Sequence, residues 1–439
     1  MRGLYDRLDR LKSVLGGGEA GKGEYVALAV EGEEDGRETR SPLADTGTCP
    51  GGEKQGAALN RLLLFATLST LFFLSFYLLP PPPSPPSSSS ISSASPPTVP
   101  TRVGRRRFPS LYHGRGCSSS ELVEAVGRAK VRPDGASRTE YEQEGNELDL
   151  SGFEFSYDIE GCPPPHIFSP EEACDLVSSF NGLFLRGDSL TRQFAQGLFL
   201  LLTSSFDQVR SKHAECKGNK LFTNGRECKF DSVFDVREMR GMRERCPGAA
   251  VVYDQVWKFE SDADPVPKPK KGEQPDYATP LLNGFHRFLN SLPEKQQRYS
   301  PVFVDSTGIH YHWRVNETLS THILPFSRNT SLSLPRPIPF FSSYPAVPPN
   351  KPAQYLQKQG PEVTREYNRA MRAAIDELGT GESVEGEWGW LEWYNSTEGA
   401  WSYDGTHYDT QVALERALVF LNVLDAVWAE VVERGGLVE

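Results

Sequence analysis

From Leu62 to Leu79 the chain reads LLLFATLSTLFFLSFYLL, a run without charge in which Ser and Thr are the polar interruptions. At about 1.5 Å of helix rise per residue it spans roughly 27 Å, enough for a bilayer core. No polar stripe breaks it, as an amphipathic helix packed on a soluble core would require. The roughly sixty residues of mostly polar sequence ahead of it argue against a cleavable leader. Lys54 and Arg61 lie just before the run, and no Lys or Arg follows until Arg102. The positive-inside rule then puts the N-terminus in the cytosol and the rest of the chain in a lumen. The expected protein is single-pass, type II, in the Golgi or another secretory membrane.

Two other patterns fall on the same side of the run. The sequons at Asn316, Asn329 and Asn395 all follow it, which suits glycosylation of a lumenal domain. So do six of the seven cysteines: Cys117, Cys162, Cys174, Cys216, Cys228 and Cys246. In an oxidising compartment these suggest up to three disulfides, with the pairing left open. Cys49 stands alone on the cytosolic side, where it stays reduced or accepts palmitate.

Composition divides the chain further. Residues 1–61 form a Gly- and Glu-rich tail, largely disordered. Its Leu4, Leu8, Leu11 and Leu15 sit at helical spacing among basic residues, which suits either a membrane-surface helix or a solvated one. Residues 62–79 are the span. Residues 80–109 begin as a Pro/Ser stalk of extended character and end near Arg105–Arg107, either a processing site or a solvated cluster. Residues 110–439 are the lumenal domain. The formal net charge of −11, without a basic stripe interleaved with aromatics, argues against a nucleic-acid partner.

Within that domain short apolar runs alternate with helical periodicity. Strands are expected at Gly182–Arg186, Ala249–Trp257, Pro301–Asp305, Ile338–Phe341 and Trp388–Tyr394. Helices are expected over Thr191–Thr203, Pro361–Leu378 and Asp409–Trp428, the last with an apolar stripe at Val412, Leu418, Leu421 and Leu424. Such alternation implies an α/β fold, a mostly parallel sheet with helices on both faces. Residues 205–246 and 258–280 read as insertions.

The chemistry concentrates in two short motifs. Arg186-Gly-Asp-Ser-Leu-Thr-Arg-Gln193 follows a strand and opens a helix. A serine there sits at the carboxyl edge of the sheet, where ligands bind in open α/β folds. It also sits at a helix N-terminus, whose free N–H groups favour a developing oxyanion. Ser189 is the candidate nucleophile, and Gly187 leaves the sharp turn unobstructed. Asp404-Gly-Thr-His407 lies directly before the last helix. His407 is the candidate base, and Asp404 the carboxylate that orients it. Either motif alone is an ordinary turn; together, at opposite ends of one α/β domain, they read as a triad.

These motifs resemble the SGNH/GDSL hydrolase superfamily. More narrowly, G-D-S-L-T-R-Q and D-G-T-H are similar to the PC-esterase group, which holds the trichome-birefringence-like and the capsule and sialic-acid O-acetyltransferases. Arg192 matches an arginine usual there, and Gln193 fits the capsule branch. Ser306-Thr-Gly-Ile-His-Tyr-His-Trp313 looks like the plant N-T-G-H-W block. It departs from that block in Ser306 for Asn and in the extra Ile309. The resemblance implies a three-layer α/β/α SGNH-like sandwich and an acyl-enzyme on Ser189. Gly187, Asp188, Arg192, Gly308 and His310 would be oxyanion or substrate contacts. It implies transfer of an acyl, typically acetyl, group from a donor to a glycan or polysaccharide hydroxyl, with no cofactor. The alternatives are an O-acetyl esterase of the same fold and a non-catalytic glycan-binding protein.

Two further groups carry weaker readings. His310 and His312, with Asp305 nearby, lack a third strong ligand at a typical spacing, so a metal is not expected and a glycan contact is preferred. Trp388, Trp390, Trp393 and Trp401 suit sugar stacking, with core packing the expectation for at least two of them.

Overall fold

In the computed structural model the runs of Val, Leu and Phe become strands of one sheet. The structure describes residues 101–112, 117–131, 147–209, 222–223, 226–227, 233–257, 260–261, 278–294, 297–309, 313–330, 335–379 and 388–434. The expected cytosolic tail with Cys49, the expected span 62–79, residues 80–100 of the expected stalk, His310, His312, Cys216 and Cys228 lie outside them. Among the described residues no helix is long and apolar enough to cross a membrane.

The strands are β1 (Leu183–Gly187), β2 (Val233–Asp235), β3 (Val251–Trp257), β4 (Val302–Ser306), β5 (Ile338–Ser342) and β6 (Gly389–Leu391). Their order in space is β6-β5-β4-β1-β3-β2, and Glu260–Ser261 adds a short seventh strand on β3. Neighbours from β6 to β3 are all parallel. Only β2 and the Glu260–Ser261 strand run antiparallel. Every residue of β1 and β4 is buried, as parallel strands covered on both faces require.

Among the helices are α1 (Ser119–Gly127), α2 (Pro170–Ser178), α3 (Ser189–Thr203), α4 (Ala278–Asn290), α5 (Leu324–Thr330), α6 (Pro361–Gly379) and α7 (Thr410–Glu433). Ser118 and Ser169 start α1 and α2 with capping boxes, each closed by a glutamate three residues on. On one face of the sheet Phe194 of α3 and Phe340 of β5 meet Phe420 of α7, with ring centroids 5.2 and 6.2 Å apart. On the other face Phe184 and Phe303 pack against Phe285 of α4, and Phe303 stacks on Phe326 of α5 at 4.0 Å. This is a three-layer α/β/α arrangement.

Chain order and spatial order together locate a crevice. From β1 the chain moves to β3 on one side, then returns past β1 to β4 on the other. The order reverses between β1 and β4, so a crevice opens at their carboxyl ends. Ser189 is two residues beyond β1 and Ser306 ends β4, with Gly187 in register with Ser306.

Several expected boundaries move. Helix α3 begins at Ser189, two residues before the expected Thr191, because Asp188 caps it. The last expected strand shortens to Gly389–Leu391. The 205–246 segment is not wholly an insertion, since β2 within it joins the sheet edge. Helix α4 was hidden by Pro280 and Gly284 in its sequence, both poor helix formers. Residues 101–109, expected as the end of the stalk, are packed into the folded body. Val103 is fully buried, Gly104 donates its N–H to the Ser179 carbonyl, and Ser300 donates to the Arg102 carbonyl. Arg106, the middle of the tribasic run, is buried between Asp425 and Asp175. Its side chain therefore fails the exposure a processing site needs.

Disulfides join Cys117 to Cys162 and Cys174 to Cys246. They close loops of 45 and 72 residues, for which chain-entropy arguments give stabilisation of about 4 kcal/mol each. The sequon residues Asn316, Asn329 and Asn395 are all exposed.

Candidate active site

The nucleophile turn is built by the sheet. Leucines and phenylalanine carry β1 into the core, and Gly187 ends it with no room for a side chain. A Cβ there would lie 2.2 Å from Thr191 Oγ1 and 2.6 Å from the Ser306 carbonyl. Asp188 follows as N-cap. One carboxylate oxygen, Oδ1, accepts the Leu190 N–H at 2.9 Å, and the other, Oδ2, accepts the Tyr344 hydroxyl at 2.6 Å. The Tyr253 hydroxyl donates to the Asp188 carbonyl at 3.0 Å. Burial first, and then the Asp188 charge, push the Tyr344 phenol well above its ordinary pKa. It therefore stays a donor at every physiological pH.

Ser189 is the first residue of α3. In that position its N–H has no acceptor within the helix. The Asp188 carboxylate is spent on Leu190 and Tyr344, which leaves the helix N-terminus with partial positive charge at the serine. Arg416 of α7 is buried beside this turn. Its guanidinium donates to the Leu190 carbonyl at 2.9 Å and lies over the rings of Phe194 and Trp393, 5.4 and 5.2 Å from their centroids. Desolvation lowers the Arg416 pKa to about 10, still cationic near neutrality.

The candidate base arrives on a different kind of element. Residues 402–408 form a turn closed by an isolated bridge between Ser402 and Tyr408. Asp404 Oδ1 accepts the backbone N–H groups of Thr406 and His407, each at 2.8 Å. Its Oδ2 lies 2.7 Å from His407 Nδ1. Gly405 has φ +78°, a conformation costly for other residues, and a Cβ there would come within 2.7 Å of Lys351 Cα. On the far side of the ring, His407 Nε2 lies 2.6 Å from Ser189 Oγ. Burial raises the Asp404 carboxyl. Hydrogen bonds from the His407 ring and backbone, and the imidazole charge, outweigh it and bring the pKa down to about 2. Asp404 is thus ionised and fixes the proton on Nδ1, leaving Nε2 to accept from the serine.

Gln193 and Asn350 are among the side chains that hold this loop in register with Ser189, and no spacing in the sequence assigns them that role. Gln193, one helical turn after Ser189, is buried. Its amide donates to the Tyr408 carbonyl at 3.0 Å and accepts the Tyr408 N–H at 3.1 Å. The helix that carries the nucleophile therefore also grips the residue after His407. Asn350 donates to the Ser402 carbonyl at 2.7 Å and braces the loop from outside.

The remaining expected contacts are placed as follows. Gly308 lies just beyond β4 against the rings of Tyr344 and Tyr367. Arg192 is buried at 3% exposure, hydrogen-bonded to Gln255 at the end of β3. It ties α3 to the sheet rather than facing an open cleft. Asp305, considered with His310 and His312 as a ligand group, bonds instead to the buried His322 at 3.1 Å. Desolvation lowers the His322 pKa and Asp305 opposes this. Among the described residues no three ligating side chains converge. Three of the four tryptophans belong to the core: the indole N–H groups of Trp388 and Trp393 bond Ser327 and Ser342, and Trp390 stacks on Phe341. Only Trp401, 44% exposed, is open to solvent. Beside the serine–imidazole pair a shallow groove is lined by Ile309, Trp313, Tyr344, Val347 and Lys351.

No family model and no curated protein matches the chain. Among solved structures it is similar to Est24, a carbohydrate acetylesterase from Sinorhizobium meliloti, at 10% sequence identity. That similarity covers 58% of this chain and 98% of that one, with a TM-score of 0.30.

Proposed function

We propose that the domain is a serine-dependent O-acyltransferase that moves an acyl group, acetyl in the first instance, onto a glycan hydroxyl through an acyl-enzyme on Ser189. The observation that carries this reading is the unbroken chain Ser189 Oγ–His407 Nε2–Asp404 at 2.6 and 2.7 Å, assembled at the crevice end of the sheet. His407 takes the Ser189 proton as Oγ bonds to the acyl carbon. The carbonyl electrons move to oxygen, which faces the N-terminus of α3. Collapse breaks the bond to the donor's leaving group, which takes the proton from His407. An acceptor hydroxyl then gives its proton to His407 and attacks the acyl carbon; the bond to Ser189 Oγ breaks and the serine takes that proton back from His407.

Hydrolysis is the second reading, because water can replace the acceptor in the last step. It is favoured by the openness of the base loop, where the side chain of Asp404 is 37% exposed. The disulfides and the exposed sequon asparagines support placement in an oxidising, glycosylating lumen. The apolar run 62–79 supports a single membrane anchor.

The test is labelling by a fluorophosphonate and turnover of p-nitrophenyl acetate with oligosaccharide acceptors present. Serine-dependent labelling with acetyl recovered on sugar is expected. Acetate released only to water would establish the esterase. A folded protein that is neither labelled nor active would sink both readings and leave a glycan-binding protein.

A further inference from the structure

The groove beside Ser189 contains one charged side chain, and it is buried. Lys351 is 7% exposed and donates from Nζ to Thr406 Oγ1 at 2.8 Å. Among the described residues no carboxylate reaches it within salt-bridge distance. Asp404 faces it electrostatically but has both oxygens committed to the 404–407 loop. The Tyr355 ring, 5.8 Å away, gives a weak cation–π contact. An ammonium taken out of water without a counter-charge is costly, and an ammonium has three N–H donors where Thr406 uses one.

A second, independent feature belongs to the same groove lining. Trp313 has φ +59°, a left-handed conformation that bulky residues avoid. It is held there by its N–H to the Gly308 carbonyl at 3.2 Å and its indole N–H to the Lys358 carbonyl at 2.6 Å. Its ring meets Tyr344 edge-on at 4.9 Å. Strain of this kind persists where surrounding structure imposes it, and it clusters at ligand sites. Aromatic rings and one ammonium thus line the same groove, which borders the candidate triad through Leu190, Thr406 and Tyr408.

We infer that the groove is an acceptor subsite in which Lys351 receives an anionic substituent of the sugar, carboxylate or sulfate, while Trp313 and Tyr344 cover its C–H face. The inference rests on the acyl-transfer reading for its use, though not for binding. An anion there meets a charge-assisted donor in a half-dry cleft, and the apolar ring face meets aromatic carbon.

The experiment uses the full chain with p-nitrophenyl acetate as donor and three acceptors: methyl glucoside, methyl glucuronide and methyl glucoside 6-sulfate. Wild type is expected to prefer at least one anionic acceptor by about tenfold in kcat/KM. Lys351→Met should bring that anionic-to-neutral ratio close to one, while Lys351→Arg keeps most of it. The ratio cancels any damage the substitution does to the triad loop through Thr406, and the two anions distinguish carboxylate from sulfate. A wild-type ratio near one, or a ratio that Lys351→Met leaves unchanged, overturns the subsite and makes Lys351 a brace for the loop. Calorimetric binding of the same sugars to Ser189→Ala, with and without Lys351→Met, separates the two readings. Lysine-dependent binding of an anionic sugar without any transfer by wild type keeps the subsite and rejects the acyltransferase. Transfer without anionic preference does the reverse.

Discussion

The two halves of the candidate triad are held by opposite means. The Gly187–Ser189 turn is an extension of the core: β1 is buried throughout, Tyr253 and Tyr344 bond to Asp188, and Arg416 bonds to Leu190 just beyond it. The Asp404–His407 loop is mostly self-supporting, a turn closed by its own aspartate with the side chains of Asp404 and His407 partly open to solvent. Under the proposed acyl transfer, a fixed serine and a locally fixed imidazole suit an acceptor that enters and leaves past the imidazole. The difference has a thermodynamic consequence. Loss of a buried support of the first half should cost stability together with activity, and damage to the second should cost activity almost alone.

The largest effect tests the shared chemistry. Ser189→Ala and His407→Ala should each lower acyl turnover by about 10⁴-fold or more, with unfolding midpoints within a degree or two of wild type. Asp404→Asn should follow at about 10³–10⁴-fold, since it takes the acceptor from His407 Nδ1 while keeping an oxygen for the two loop N–H groups. Denaturant titration of Asp404→Asn decides the comparison. A loss of several kcal/mol there would show that the base loop is as deeply anchored as the nucleophile turn.

Tyr344→Phe probes the other half. It leaves a buried Asp188 oxygen without its donor, so stability should fall by about 1–3 kcal/mol. Turnover should drop by roughly tenfold as the cap that aims Ser189 loosens. If turnover falls while stability does not, the contrast between the halves fails on the nucleophile side. Gln193→Leu lies between them, because Gln193 belongs to α3 but holds Tyr408. It removes two hydrogen bonds to the backbone of one buried residue, at a cost of about 1–3 kcal/mol. A several-fold fall in kcat with KM little changed is expected, measured with p-nitrophenyl acetate.

What the sequence disclosed follows the same division. Ser189, Asp404 and His407 were legible because short motifs record local geometry: a serine after a buried strand, and an aspartate, glycine and histidine within one turn. The sheet was legible because strands covered on both faces read as apolar runs, as at Leu183 and Val302. Tyr344, Gln193 and Lys351 were not. Their partners lie 156, 215 and 55 residues away, and no spacing announces such contacts. Nor did composition reveal that Val103 and Arg106 belong to the body, since distant groups such as the carbonyl of Ser179 and the carboxylate of Asp425 hold that stretch. The four tryptophans looked equivalent in sequence, and pairing with Ser327, Phe341 and Ser342 sorts three of them into the core.

The smallest effect is also the sharpest check on the base loop. Asp404 has a folded pKa of about 2 against an ordinary 3.8. A depressed carboxyl stabilises the fold above its unfolded pKa, and that contribution is lost as pH falls through the folded value. Asp404→Asn carries no charge at any pH, so subtracting its stability from that of wild type isolates the carboxylate from all other titrating groups that both proteins share. The difference should be level above about pH 4.5 and shrink between about 4 and 2. It should be modest, because Asp404 is more than one-third exposed and water screens the pair. High salt should reduce it further while leaving the Tyr344→Phe penalty nearly untouched, because the Asp188–Tyr344 bond is buried and the Asp404–His407 pair is not. Equal salt sensitivity in the two variants would mean that solvent reaches both halves of the site alike.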